Sequence, residues 1–394
     1  MRSNLKTVAT LTPYCVGLVF LFALGELVQG AEFIPLGYLP GGYYSSLATN
    51  VSADGNVVVG QSHNGSAGTE AFRWTRSNGM QGLGDLPGGD TWSNASAVSG
   101  DGSVVIGRGT AGDYAGIDAF RWTDKTQMEL IGYFPRDGML FSYPGSISND
   151  GRVIVGSSDN RAFKWTEVDG ISEIPGISDL PGSSGVGGVS ADGSVIVGSR
   201  DLDGLRYPYR FTEPNHVENL GLFPGSNTST YVNGISSDGE VIIGYVDGQG
   251  WRWDESNGYQ AIPSLPGSEF GTIPYDLSAD GSVILGTTNA YNTDPRARFP
   301  SFIWTLERGT ENLDTFLQEC HQIDIAGWSL SRAYGISDDG KVIVGGGINP
   351  DGRLEAFVVD LRIPEPSTLG MTIVLVLCIC TTRTQARLHR PGQQ

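Results

Sequence analysis

Seven times along the chain a Ser-x-Asp-Gly-x-Val-x-x-Gly-like element recurs, with its aspartate at Asp54, Asp101, Asp150, Asp192, Asp238, Asp280 and Asp339. Successive aspartates lie 47, 49, 42, 46, 42 and 59 residues apart. Such a period marks a fold made by stacking one supersecondary unit, since a single unit cannot bury its own apolar face. The clearest copies are Val51-Ser-Ala-Asp-Gly-Asn-Val-Val-Val-Gly60 and Val189-Ser-Ala-Asp-Gly-Ser-Val-Ile-Val-Gly198. Each reads as an apolar strand, a tight turn and a β-branched strand. Glycine tolerates the positive φ that the turn demands, and aspartate can bond to the backbone beside it.

Two more strands fill each period. The third is Ala-Phe-Arg-Trp-Thr at 71–75 and 119–123, Ala-Phe-Lys-Trp-Thr at 162–166 and Ser-Phe-Ile-Trp-Thr at 301–305. Alternation puts Phe72 and Trp74 on one face and Arg73 on the other. The fourth is seen at Met80–Gly84 and Val217–Gly221, and a Leu-Pro-Gly turn follows at 86–88, 180–182 and 265–267. Four strands in a period of this size make a propeller blade. The chain after residue 30 opens on a fourth strand, Ile34–Pro40, and ends on a third, Leu354–Asp360. Pairing those two completes the seventh blade and removes the exposed edges of an open array. The fold expected is therefore all-β: a single seven-bladed β-propeller of four-stranded blades over residues 31–362. The strand before each Asp-Gly turn lies innermost, where small residues (Ser93 to Ser99, Gly187, Gly188) suit a narrow axis. The last interval holds an insertion, Leu313 to Ile325, that predicts one short amphipathic helix.

The two ends read as addresses. Arg2 and Lys6 precede an uncharged stretch from Thr7 to Gly25, with an apolar centre at Val16 to Leu24. This is the plan of a secretory signal over residues 1–30, with cleavage after Gly30 or Ala31. At the other end Leu369 to Thr382 is a neutral or apolar run of 14 residues, followed by Arg383, Arg387 and Arg390. As a helix it would be roughly 21 Å long against a hydrocarbon core of roughly 30 Å, so it suits a transient stop better than a permanent anchor. The arginines would hold its end on the cytoplasmic side.

Pro364-Glu365-Pro366 stands directly before that run. The segment 363–394 resembles the PEP-CTERM sorting signal of Gram-negative bacteria, although there the arginines are compact and here they spread over 383–390. The resemblance implies processing by an exosortase-type enzyme after signal peptidase. It also implies transient anchoring in the inner membrane and delivery to the outer surface or extracellular matrix. The units themselves, with Ala-Phe-x-Trp after Asp-Gly-x-Val-x-x-Gly, resemble HAF-type extracellular repeats over nearly all of 31–362. That family carries the same fold reading and implies no activity.

Charge limits the partners. Residues 31–362 carry 20 basic against 41 acidic side chains, so nucleic acid is not an expected partner, and a membrane is met only through the tail. No catalytic constellation emerges. His63, His216, His321 and His389 are scattered; no nucleophile elbow, phosphate loop or dinucleotide fingerprint is present; no metal or cofactor is expected. A single aspartate per turn falls short of a calcium loop, which needs several oxygen ligands close together. Cys320 reads as a buried thiol. Trp74, Trp122, Trp165, Trp253 and Trp304 follow the repeat and read as core, whereas Trp92, Trp251 and Trp328 do not; Trp92, beside a Leu-Pro-Gly-Gly turn, is a candidate ligand contact.

Two functions stay open. One is a non-catalytic surface or matrix protein whose propeller face binds exopolysaccharide or an envelope protein. The other is a carbohydrate-active enzyme, a glycosidase or lyase. That reading needs paired carboxylates in blades that break the repeat, and the long loop of the sixth repeat, Thr287 to Pro300 with Asp294, Arg296 and Arg298, is the best such break.

Overall fold

The phase of the repeat requires the N-terminal strand to complete the last unit, and it does so. The computed structural model describes residues 30–65, 68–89, 92–111, 116–134, 141–177, 182–289 and 299–362. The signal segment before Gly30 and the Pro364-Glu365-Pro366 motif with its apolar run lie outside the described residues. So do Leu180-Pro181, His389, and Asp294, Arg296 and Arg298. Ala31–Arg362 forms one compact unit.

Among the described residues, 28 strands form seven four-stranded sheets, each sheet one blade of a β-propeller. Blade 1 takes Ser46–Val51, Val57–His63, Thr69–Thr75 and Gly79–Gly82 in order. Blades 2 to 6 repeat that order. Blade 7 takes Ser329–Ile336, Val342–Ile348 and Leu354–Asp360, and then borrows Glu32–Gly37 as its outer strand. The borrowed strand runs antiparallel in the register Glu32↔Asp360, Ile34↔Val358, Gly37↔Ala356. Arg76 of blade 1 pairs with both Glu32 and Asp360, tying the closing seam to its neighbour.

Each Asp-Gly turn is held the same way. Ser52 Oγ donates to Asp54 Oδ1 at 2.6 Å and accepts from the Val57 N–H at 3.0 Å. The six other turns repeat the serine–aspartate bond at 2.5–2.8 Å. These serines are at most 2 % exposed, so the hydroxyl satisfies the N–H that starts the next strand where water does not reach. The turn glycines sit at φ +65° to +79°, where a side chain is strained.

The glycine that ends each repeat has a different reason. Every inner strand carries a β-bulge, at Ala48/Asn50, Ala95/Ala97, Pro144/Ser146, Val186/Gly188, Val232/Gly234, Pro274/Asp276 and Ala333/Gly335. Gly60 pairs with Ala48 beside the bulge on one side and with Phe72 on the other. A Cβ at Gly60 would lie 2.0 Å from the Leu47 carbonyl oxygen and 2.9 Å from the Phe72 ring. The ring therefore packs on bare backbone. Phe120, Phe163, Phe302 and Phe357 hold the same place, taken by Tyr209 in blade 4 and by Trp251 in blade 5. Trp251, outside the tryptophan period, thus fills the phenylalanine position and is fully buried. Each such ring contributes about 1.5–3 kcal/mol by burial.

The core lies in the seams between blades. One cluster joins Val58, Phe72 and Trp74 of blade 1 to Val342, Val344 and Val358 of blade 7. At the axis Gly187 and Gly188 are demanded by contact: a Cβ there would meet Val232 at 2.7 Å and Ile235 at 2.9 Å. The insertion forms a helix, Leu313–His321, which Asn312 caps by accepting from the Thr315 N–H at 3.1 Å. Leu313 and Leu317 are buried, and the helix stops at Gln322, φ 54°, short of Ile325.

Candidate functional site

The innermost strands surround the axis, and the residue between serine and aspartate in each turn stands at one end of it. Backbone hydrogen bonds link these turns in a closed ring. Ala53 N–H donates to Gly100 O, Asp101 to Asn149, Asn149 to Ala191, Ala191 to Ser237, Ser237 to Ala279, Ala279 to Asp338 and Asp338 back to Ala53, at 2.9–3.3 Å. Blade 2 needs glycine here, because a Cβ on Gly100 would lie 2.6 Å from Asn149 Cγ. Asn149 Nδ2 donates to Asp338 Oδ2 at 3.2 Å, and Ser237 Oγ donates to Asp338 Oδ1 at 3.0 Å. These three side chains belong to blades 3, 5 and 7. No two of those blades adjoin, so the bonds cross the axis and close it with polar groups.

Asp276 sits at the bulge of blade 6. Its Oδ2 accepts from Ile336 N–H of blade 7, and its Oδ1 from Leu277 N–H, each at 2.9 Å. Burial raises its pKa, and the Asp338 charge adds to this, against the pull of the two N–H groups; the result is about 7. The residue keeps slight contact with solvent although protein surrounds its carboxyl. Asn50 of blade 1 does the same bonding without charge, accepting from Val98 N–H at 3.1 Å.

The opposite face carries the Leu86-Pro87-Gly88 and Leu265-Pro266-Gly267 turns and exposed aromatic rings. Tyr43 is 75 % and Tyr44 59 % exposed, in the turn that opens blade 1. The Arg353 guanidinium stands 3.9 Å from the Tyr44 ring centre, and Tyr38 packs edge-on at 5.5 Å. Glu355 is fixed beneath by Gly37 N–H, Tyr38 OH and Asn349 Nδ2, at 3.1, 3.1 and 2.8 Å. Burial, together with the charge of Glu355, pushes the Tyr38 hydroxyl up to about 12, so it stays a donor. On the Asp-Gly turn face a cavity of about 390 Å³ lies between blades 2 and 3, lined by Arg121, Lys125, Asp150, Arg152 and Trp165.

The residues singled out in the sequence are mostly absorbed by the fold. Trp74, Trp122 and Trp304 are buried, and Trp328 is buried edge-on to Phe33 at 5.0 Å. Trp92 is half-buried, its backbone bridging Thr69. Cys320 is exposed, not buried: the helix turns Leu313 and Leu317 inward and ends at once, leaving the thiol 3.2 Å from Arg308 Nη2. His321 packs on Phe316, and burial beside Arg308 lowers its pKa. Among the described residues no three His, Cys, Asp or Glu side chains are grouped to hold a metal. Asn149, Ser237, Asp338 and Asp276 do not stand out by any motif. Their one signal is departure from the repeat: Asn149, Ser237 and Asp338 stand where sister blades carry alanine or glycine, and Asp276 puts a charge at a bulge where sister blades carry Ala, Gly, Ser or Asn.

No family model matches the chain, and no curated protein does. Solved structures do. An oligogalacturonate lyase from Vibrio parahaemolyticus aligns at 11 % identity and TM-score 0.52, over 85 % of this chain and 99 % of that one. An oligogalacturonate lyase in complex with manganese aligns at 12 % and 0.52, over 85 % and 98 %. TolB from Acinetobacter baumannii aligns at 14 % and 0.43, over 64 % of this chain and 62 % of its own length. At these identities the likeness to the lyases is one of fold: this chain is built as a seven-bladed propeller, and its chemistry has to be read from its own side chains.

Proposed function

We propose that this chain is an exported, non-catalytic binding protein that meets a glycan or envelope partner with the face bearing the Leu-Pro-Gly turns. Signal peptidase would act at Gly30 or Ala31. An exosortase-type enzyme would act at the Pro364-Glu365-Pro366 tail, placing the propeller on the outer surface or in the matrix. The observation that carries the binding reading is the exposed Tyr43–Tyr44 pair. Large exposed rings beside fixed polar groups fit sugars, whose C–H faces stack on aromatics while hydroxyls take hydrogen bonds. A glycan array probed with residues 31–362 tests this: binding is expected, and the double variant Tyr43→Ala/Tyr44→Ala should weaken it about tenfold or more. Partners bound equally well by the double variant would refute the role of this face.

The carbohydrate-active alternative has one observation in its favour, Asp276, whose proton is held to about pH 7 as a general acid requires. Against it, both Asp276 and Asp338 are already engaged by the chain's own donors. Product release during the same screen, abolished in Asp276→Asn, would move the assignment to an enzyme.

A further inference from the structure

We infer that the axial mouth on the Leu-Pro-Gly face is a binding site for an acidic saccharide, one bearing carboxylate or sulfate groups. This rests on the binding reading above and names its ligand class. The place is set by the strands. Tyr143, Tyr231 and Arg332 lie on the inner strands of blades 3, 5 and 7, each six residues before the Asn149, Ser237 and Asp338 that meet across the axis. At roughly 3.3 Å per residue the three stand around the same axis about 20 Å away, at its other end. At that end Tyr143 is 37 % exposed, and Arg332 is exposed.

Two further arginines reach these tyrosines across blade seams. Arg108 of blade 2 lies over the Tyr143 ring and Arg206 of blade 4 over the Tyr231 ring, each 5.8 Å from the ring centre. Stacking fixes a guanidinium in place while leaving its edge donors free. In a chain of net charge −18 a basic side chain finds an acid easily, and Arg76, Arg161, Arg252 and Arg362 do so. Among the described residues Arg108, Arg206 and Arg332 have no carboxylate within ion-pair distance. Arg206 makes one side-chain bond to a hydroxyl, Ser183 Oγ at 3.2 Å. Among the described residues these three guanidiniums lack a carboxylate partner, and two of them are laid on tyrosine rings, which suits a ligand with anionic groups on a ring skeleton. Planar forks take carboxylate or sulfate oxygens in pairs, and the tyrosines take the sugar face. The acidic remainder of the surface turns away polyanions that do not reach the mouth.

The test uses residues 31–362 in calorimetry with three probes of equal length: an oligogalacturonate, a sulfated oligosaccharide and a neutral oligosaccharide. The acidic probes are expected to bind, with carboxylate and sulfate distinguished by their relative affinities, and binding should weaken as salt rises. Arg332→Gln and Arg108→Gln should each reduce acidic binding about tenfold, while Arg332→Lys, which keeps the charge, should reduce it less. Circular dichroism confirms that the variants fold. Acidic probes bound equally well by both glutamine variants would overturn the inference. Preference for the neutral probe, with loss confined to Tyr43→Ala/Tyr44→Ala, would overturn it too while leaving the glycan-binding reading standing. Absence of binding to every probe and every arrayed glycan would overturn both.

Discussion

At the scale of the residue, the repeat uses glycine for two unrelated reasons. In the Asp-Gly turn the requirement is conformational, and dipeptide chemistry alone predicts it. At Gly60 and its six counterparts the requirement is space, between a bulged inner strand and the aromatic ring of the third strand. Only the assembled blade reveals that second demand. Gly60→Ala should therefore destabilise the propeller by about 1–3 kcal/mol, since a methyl group must displace carbonyl and ring together. Gly79→Ala offers the comparison: nothing lies within 4 Å of its Cβ and the cost is that of φ +66° alone. Gly60 carries no positive φ, so a Gly60→Ala urea midpoint equal to that of the unsubstituted protein would remove the packing account.

At the scale of the element, the closing strand both completes a sheet and joins a seam of the core. Glu32–Gly37 covers the edge of Leu354–Asp360 and brings Leu36 and Ile34 against the blade 7–blade 1 core. Starting the chain at residue 38 exposes that edge and loses the Arg76–Glu32 pair. The truncated protein should unfold at lower temperature and associate, as bare edges do. A calorimetric Tm and a sedimentation profile matching the full body would mean that closure contributes nothing. The helix shows what pattern reading reaches at this scale and what it does not. Its existence follows from the spacing of apolar residues over 313–325, but its end at Gln322 depends on a left-handed cap that no periodicity announces.

At the scale of the whole molecule, stability has two opposed dependences on pH. Burial pushes the carboxyls of Asp54, Asp101 and Asp150 up, but the serine hydroxyl and backbone N–H groups outweigh it. The same bonds lead at Asp192, and all four end below the usual carboxylate range. Their stabilisation is present above the unfolded pKa and is lost as pH falls through the folded value. Asp276 works the other way. With its folded pKa raised to about 7, its contribution is present below the unfolded value near 3.8 and is lost as pH rises toward 7. Three pKa units correspond at most to about 4 kcal/mol. The urea midpoint should thus rise as pH climbs to about 4 and fall again from there to about pH 7. In Asp276→Asn, which copies the uncharged bonding of Asn50 in blade 1, the second fall should disappear; its persistence would show that the axial carboxyl titrates normally.

Blade count, four-stranded units, closure by the N-terminal strand and the innermost place of the pre-turn strand were all determined by the sequence itself. Each follows from local chemistry repeated at a fixed period, so seven copies confirm one another. What the propeller offers a partner was decided only by the tertiary structure. Tyr143, Tyr231 and Arg332 are far apart in the chain and obey no shared motif, and neither do Asn149, Ser237 and Asp338. A closed ring brings the inner strands of blades 3, 5 and 7 to one axis, and there Asn149 and Ser237 reach Asp338. A repeat announces what its copies have in common, whereas the polar closure and the arginine-lined mouth are made from the positions where the copies differ.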